Sequence, residues 1–206
     1  MTTHALRALS AADAAMAAFI ERAGPLPDRP AVGDPFTSLA RAIVFQQLAG
    51  RAAAAIYGRL VASLGGEMTP RALLGRTPDE LRAVGLSAAK TAALIDLATK
   101  VADGSVPLGE LASLDDDEIV ARLVTVRGIG PWTAQMFLLF ELRRPDVWPV
   151  DDLGVRNGYS LIHELAATIT PKALQAEGER YRPFRSTAAL YCWQAVHLSR
   201  GTTPAR

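Results

Sequence analysis

Pro35, Pro70, Pro78, Pro131 and Pro171 each stand at the start of a stretch whose apolar residues recur with helical spacing. Gly24, Gly65, Gly66, Gly75, Gly85 and Gly104 stand where such stretches run out. Proline presets φ and has no N–H to waste in a first helical turn, whereas glycine tolerates the left-handed backbone that ends a helix. β-branched runs are short, and no segment alternates apolar and polar residues for long. The pattern predicts an all-α protein, with helices at Ala11–Ala23, Pro35–Leu48, Arg51–Leu64, Pro70–Leu74, Pro78–Val84, Ser87–Ala102, Asp115–Leu123, Pro131–Leu142, Val155–Leu165, Pro171–Tyr181 and Ser186–Leu198. "TPDEL" at Thr77 and "SLDDDEI" at Ser113 place a cap or acidic residues in a first turn, where the helix dipole favours them.

With 206 residues the chain can bury a substantial core as one domain, or as two lobes. "GPLPDRPAVGDP", residues 24–35, is the one linker-like stretch, separating an N-terminal helix from the main bundle. "RGTTPAR" reads as a loose tail. No apolar run reaches membrane-spanning length, and the amino terminus lacks the basic and apolar regions of a secretory signal, so a cytoplasmic protein is expected. Cys192 is the only cysteine, which excludes an internal disulfide and any cysteine-ligated zinc or iron–sulfur site. His4, His163 and His197 are too scattered to suggest a metal site. The net charge of +1 provides no global field for a polyanion, so a nucleic-acid ligand would have to be held by local features and few phosphates.

One such feature is "VRGIGPWTA", where a helical pattern breaks at Gly128-Ile129-Gly130 and resumes at Pro131. Both glycines allow positive φ, so a tight turn can reverse the chain between two helices while Ile129 points back into the gap between them. The outward backbone N–H groups at the second helix's N-terminus suit a phosphate oxygen by geometry and by dipole. Taken alone, "GIG" fits an ordinary αα-hairpin equally well.

The longer run resembles the helix–hairpin–helix motif of the base-excision DNA glycosylase superfamily. "DPFTSLARAIVFQQLAGRAA" (34–53), "VWPVDDLGVR" and "YRPFRSTAALYCW" (181–193) resemble, in the right order, its wedge region, its catalytic-aspartate loop and its C-terminal signature. The likeness is closest to the 3-methyladenine DNA glycosylase II group, of AlkA/Mag type, although the chain leaves no room for the extra N-terminal β-domain of longer bacterial members. It implies two helical lobes with a DNA-binding cleft. One lobe is expected over about 35–150 and contains hairpin 123–134; the other takes the N-terminal helix and about 151–200.

By position alone, Asp151 and Asp152 are equal candidates for the working carboxylate; the resemblance assigns Asp152. Asp151 then caps the following helix or shapes the loop. A carboxylate near C1′ stabilises the positive charge that develops on the sugar as an N-glycosidic bond breaks, and it can orient or deprotonate the attacking water. An acid/base pair or a magnesium site is less suited to adjacent side chains, which diverge on an extended segment. Relatives that form a Schiff base carry a lysine where this chain has Trp132, and the nearest lysines, Lys100 and Lys172, lie outside the motif. The expected enzyme is therefore a monofunctional, water-using glycosylase with no lyase step.

The resemblance places Trp132 and Trp193 around the extruded base, where indole faces attract the positive charge of an N-alkylated purine. Met136 stands where some relatives put a pocket tyrosine, and Gln46 is a candidate contact to the opened helix or the base pocket. Each tryptophan reads equally well as core packing, and Trp148 is left unassigned. Gln47 or Leu48 is the candidate wedge that fills the gap left by the flipped nucleotide, with Leu48 also readable as core. Gly128, Ile129, Gly130 and Thr133 belong to the DNA grip. Arg185 reads as a solvated arginine or a structural ion-pair partner, with a DNA contact near the lesion strand as its functional reading. No cofactor is expected, apart from a monovalent cation held by hairpin carbonyls as in relatives. The partner is double-stranded DNA carrying alkylated bases, engaged by a monomer. Three other readings are a same-fold glycosylase for deaminated or mismatched bases, a non-catalytic helix–hairpin–helix module, and a protein-interaction scaffold. The last leaves the hairpin without a purpose, and a mere grip does not need Asp152, Trp132 and Trp193.

Overall fold

The computed structural model describes residues 3–27 and 33–201, and all regular elements among them are helical. The middle of the predicted linker (28–32) and the last five residues (202–206) lie outside the described residues. The helices are α1 (Thr3–Ala12), α2 (Ala14–Ala23), α3 (Pro35–Phe45), α4 (Gly50–Ser63), α5 (Pro70–Leu74), α6 (Pro78–Ala83), α7 (Ala88–Ala102), α8 (Asp116–Leu123), α9 (Pro131–Met136), α10 (Leu153–Ile162), α11 (Pro171–Gly178) and α12 (Arg185–Ser199). No helix among these residues is long and apolar enough to cross a membrane.

The chain divides into two compact units, Val32–Leu142 and Met1–Ala31 with Arg143–Arg206. The first is built around α7, whose Leu94, Leu97 and Ala98 are fully buried and which packs against α3, α5 and α6. Helices α3, α5, α6 and α9 start where the prolines predict, and Asp34, Thr69, Thr77 and Ser87 are the side-chain caps of α3, α5, α6 and α7. Thr77 and Glu80 complete a reciprocal capping box.

In the second unit the dominant pair is α10 on α12. Gly158 makes it possible: a Cβ there would lie 1.8 Å from the Cys192 carbonyl oxygen, so the two backbones meet directly. Cys192 itself is fully buried, and burial pushes its thiol far above the usual cysteine range. Asp13 nucleates a buried polar cluster, accepting from Met16 N–H, His163 Nε2 and Tyr181 Oη.

Three expectations are corrected. The N-terminal helix is two helices, because Asp13 ends α1 and caps α2, a break that carries neither glycine nor proline. Helix α3 stops at Phe45 rather than Leu48. The stretch predicted as one helix over Pro131–Leu142 widens to a π-helix at Phe137–Glu141, closed by Leu142 N–H on Phe137 O at 3.1 Å. Such a widening leaves the run of apolar residues continuous and so hides from a periodicity argument.

Candidate functional site

The segment "VWPVDDLGV" folds as a tight turn, in which Asp152 N–H reaches back to Pro149 O at 3.0 Å. Asp152 takes the extended backbone of an N-cap, and its Oδ1 accepts the Val155 N–H at 2.8 Å. The cap of α10 is therefore Asp152, not its neighbour; Asp151 is exposed. A second donor reaches the same oxygen, the indole Nε1–H of Trp193 on α12, also at 2.8 Å. The carboxylate is only 9% exposed, fixed at a helix N-terminus by one backbone and one side-chain N–H.

Gly154 lets this happen. A Cβ at that position would stand 2.6 Å from Cδ1 of Trp193 and 3.0 Å from Oδ1 of Asp152, so only glycine lets the indole lie across the first turn of α10.

Two residues near this turn are structural. Trp148 is 5% exposed, donates to Leu174 O at 2.9 Å, and packs edge-on against Tyr181. The guanidinium of Arg185, a candidate DNA contact, makes a bidentate pair with Asp146 at 2.8 and 2.9 Å and also reaches the Asp146 carbonyl at 2.9 Å. With that fork filled and its side chain 11% exposed, Arg185 shapes the loop before Asp152; its ion-pair alternative is the one observed.

The hairpin lies in the other unit, between α8 and α9. Gly128 takes φ +79°, and Ile129 points inward, 4% exposed, with its N–H on Val126 O at 3.0 Å. Gly130 differs from expectation: at φ −94°, ψ 173° it is ordinary extended backbone, and a Cβ on it would meet no atom within 4 Å. Only Gly128 is needed for the reversal. Gly130 opens α9 as its N-cap, with Pro131 in the first turn.

Trp132 and Met136 are spaced to share one face of α9. Trp132 is 47% exposed, which removes the core reading, and Met136 is half-buried. The Thr133 side chain is buried. Gln46 donates from Nε2 to Gly128 O at 2.9 Å, tying the segment after α3 to the hairpin. Gln47 is exposed with φ +55°, and Leu48 is 40% exposed, so Leu48 is not core. Asp96 on α7 accepts the Arg127 N–H at 2.7 Å and steadies the hairpin entry.

A protein-family model described as HhH-GPD superfamily base excision DNA repair protein matches residues 40–183. The chain belongs to that superfamily. It is 38% identical over 84% of its length to DNA-3-methyladenine glycosylase 1 of Schizosaccharomyces pombe, covering 77% of that protein. DNA-3-methyladenine glycosylase 2 of Escherichia coli is 32% identical over 80% of this chain, which spans 58% of that relative. Among solved structures, the S. pombe 3-methyladenine DNA glycosylase in complex with abasic DNA aligns at TM-score 0.81 and 36% identity, over 93% of this chain and 96% of that one. DNA-3-methyladenine glycosidase of Bacillus halodurans aligns at TM-score 0.87 and 33% identity, over 96% and 92%.

The HhH-GPD match takes in Gln46, the hairpin and Asp152 but ends before Trp193, whose place at the site rests on its bond to Asp152. Sequence reasoning overlooked Gly154, although it stands inside the quoted "DDLGV". Lys90, whose Nζ donates to Val44 O and Gln46 O, and Asp96, which accepts the Arg127 N–H, carry no sequence signal.

Proposed function

We propose that this HhH-GPD protein is a monofunctional DNA glycosylase that flips out and hydrolytically excises N-alkylated purines of the 3-methyladenine and 7-methylguanine type. The observation that carries the reading is the Asp152 carboxylate, fixed by Val155 N–H and Trp193 Nε1–H on a single oxygen. Preorganisation matters here because the charge it opposes exists only in the transition state.

In this reading the N-glycosidic bond breaks, its electron pair neutralises the cationic base, and the sugar becomes positively charged at C1′. Water adds at C1′ and loses its proton to Asp152 or to solvent. A cationic purine leaves without acid catalysis, which agrees with the lack of any assigned acid beside Asp152. Trp132 offers an exposed indole face for such a base, and having no amine it cannot form a Schiff base. The hairpin N–H groups take phosphate, and the exposed Gln47–Leu48 tip supplies the wedge. No cofactor enters the reaction. Turn carbonyls are suitable donors for a monovalent cation, which would add positive charge facing a phosphate, and no step runs through it. The active species is a monomer on double-stranded DNA.

Incubation with randomly methylated DNA, followed by identification of the released bases, tests the reading. Cationic 3-methyladenine and 7-methylguanine are released fastest, the product keeps an intact abasic site, and borohydride traps no protein–DNA adduct. Preferential release of a neutral base such as uracil would overturn the substrate class. A trapped adduct would overturn the water mechanism.

A further inference from the structure

Helix α3 ends at Phe45, and its last carbonyls need partners outside the helix. Lys90, in the first turn of α7, supplies them: its Nζ donates to Val44 O at 2.7 Å and to Gln46 O at 2.8 Å. Burial pulls the Lys90 ammonium below the usual lysine range, which fits a group committed to these oxygens rather than to solvent. The Gln46 side chain meanwhile reaches Gly128 O at 2.9 Å. The segment leaving α3 is therefore pinned twice, its main chain to α7 and its side chain to the hairpin.

Immediately after this double clamp, Gln47 adopts φ +55°, a left-handed backbone that a non-glycine side chain rarely takes, and it is exposed. Leu48, next along, is a 40% exposed apolar side chain. A strained conformation at an exposed tip persists only where its surroundings over-determine it, and Lys90 with Gln46 does so. The other end of α7 grips the hairpin entry: Asp96 accepts the Arg127 N–H at 2.7 Å and the Lys100 ammonium at 2.8 Å, and Lys100 also reaches Thr125 O. Lys90 and Asp96 lie about 9 Å apart along one rigid helix. A depression of about 600 Å³ is lined by residues of both segments, Gln46, Gln47, Lys90, Arg127 and Gly128 among them.

We propose that Lys90 is a positioning residue for base extrusion: it locks the Gln47–Leu48 tip at a fixed offset from the hairpin, so that holding a phosphate on the hairpin presents the tip to the base stack. This rests on the glycosylase reading and adds to it a residue that touches neither the base nor the sugar.

The test compares wild type, Lys90→Met and Lys90→Arg on two 7-methylguanine duplexes. In one the lesion is paired with cytosine; in the other it lies opposite an abasic site, where extrusion needs no unpairing. A 2-aminopurine beside the lesion reports opening of the stack independently of chemistry. Lys90→Met keeps the aliphatic stem, and its thermal midpoint and affinity for undamaged duplex stay near wild type. Its single-turnover release from the paired duplex falls at least tenfold with a matching loss of fluorescence rise, while release opposite the abasic site changes less than twofold. Lys90→Arg, which can still donate to both carbonyls, restores most of the paired-duplex rate. Equal losses on both duplexes, or an unchanged fluorescence rise in Lys90→Met, would overturn the role of Lys90. If Lys90→Met fails to fold, a Lys90→Arg protein with an unchanged fluorescence rise and wild-type rates on both duplexes supports the role, and one slowed equally on both contradicts it. A wild-type protein that opens the duplex yet releases no base would overturn the glycosylase reading, leaving the fluorescence to decide on Lys90.

Discussion

The indole Nε1–H of Trp193 and the backbone N–H of Val155 converge on one oxygen of Asp152, each at 2.8 Å. Trp193 thus contributes an N–H to the carboxylate as well as an aromatic face. Phenylalanine keeps a ring and loses the donor. Trp193→Phe is expected to slow single-turnover release of 7-methylguanine about tenfold, the worth of one hydrogen bond to a charged group, with duplex affinity unchanged. An unchanged rate would reduce Trp193 to a stacking surface.

Gly154→Ala tests the same contact from the other side. The new Cβ would stand 2.6 Å from the Trp193 ring, so the indole must leave Asp152. Base release should fall at least as far as in Trp193→Phe, and combining the two changes should cost less than the sum of their separate effects, because both break one bond. Additive losses would show that the two residues act separately.

The hairpin glycines separate structure from binding. Gly128 has φ +79° and would bring a Cβ within 3.3 Å of Ala93, so Gly128→Ala should destabilise the protein by about 1 kcal/mol or more. Gly130→Ala meets no protein atom and needs no unusual backbone, so thermal stability should hold. In the proposed function the methyl obstructs the approach of a phosphate. Affinity for lesion and undamaged duplex should fall together, with a modest salt dependence in keeping with a net charge of +1. Normal non-specific affinity with lost lesion discrimination would contradict the phosphate assignment.

These glycines show what was legible in the sequence. The helices were readable because proline starts and glycine stops are local chemistry, and the hairpin and Asp152 stood out through contiguous motifs. Gly130 shows the limit of the motif: a glycine in a turn suggests positive φ, yet its φ is −94° and a Cβ there would meet no atom within 4 Å. The Asp13 break, the Lys90 clamp and the Trp193–Asp152 bond join residues distant in sequence or lack a breaker residue. No periodicity registers them. The Arg185–Asp146 ion pair is invisible to motif reading, because Asp146 carries no motif.

Asp13 gives the fold a measurable response to acid. Burial alone would raise its carboxyl, but bonds from Tyr181, Met16 N–H and His163, with the His163 charge, hold it below the usual carboxylate range. A depressed folded value stabilises the fold at pH above the unfolded carboxylate's, about 3.9, and that contribution is lost as pH falls through the folded value. Asp13→Asn should be less stable than wild type at pH 7 by about 1.5–3 kcal/mol, the worth of a hydrogen bond to a charged group, with the gap narrowing below about pH 4. Urea titrations at pH 7, 5, 4 and 3 check this. A gap constant with pH would show that Asp13 contributes only as a helix cap.

In the proposed function the charge of Asp152, and not that of Asp151, drives base release. Asparagine is a good N-cap, and its carbonyl oxygen can accept both the Val155 and the Trp193 N–H groups, so Asp152→Asn removes the charge with little else disturbed. The most direct measurement is the single-turnover rate of 7-methylguanine release by Asp152→Asn and Asp151→Asn on one duplex, with melting temperature and DNA affinity recorded alongside. Asp152→Asn should lose at least about 100- to 1,000-fold, roughly 3–4 kcal/mol or more, with fold and affinity retained, while Asp151→Asn loses far less. The reverse order, or near-wild-type release by Asp152→Asn, would contradict the account.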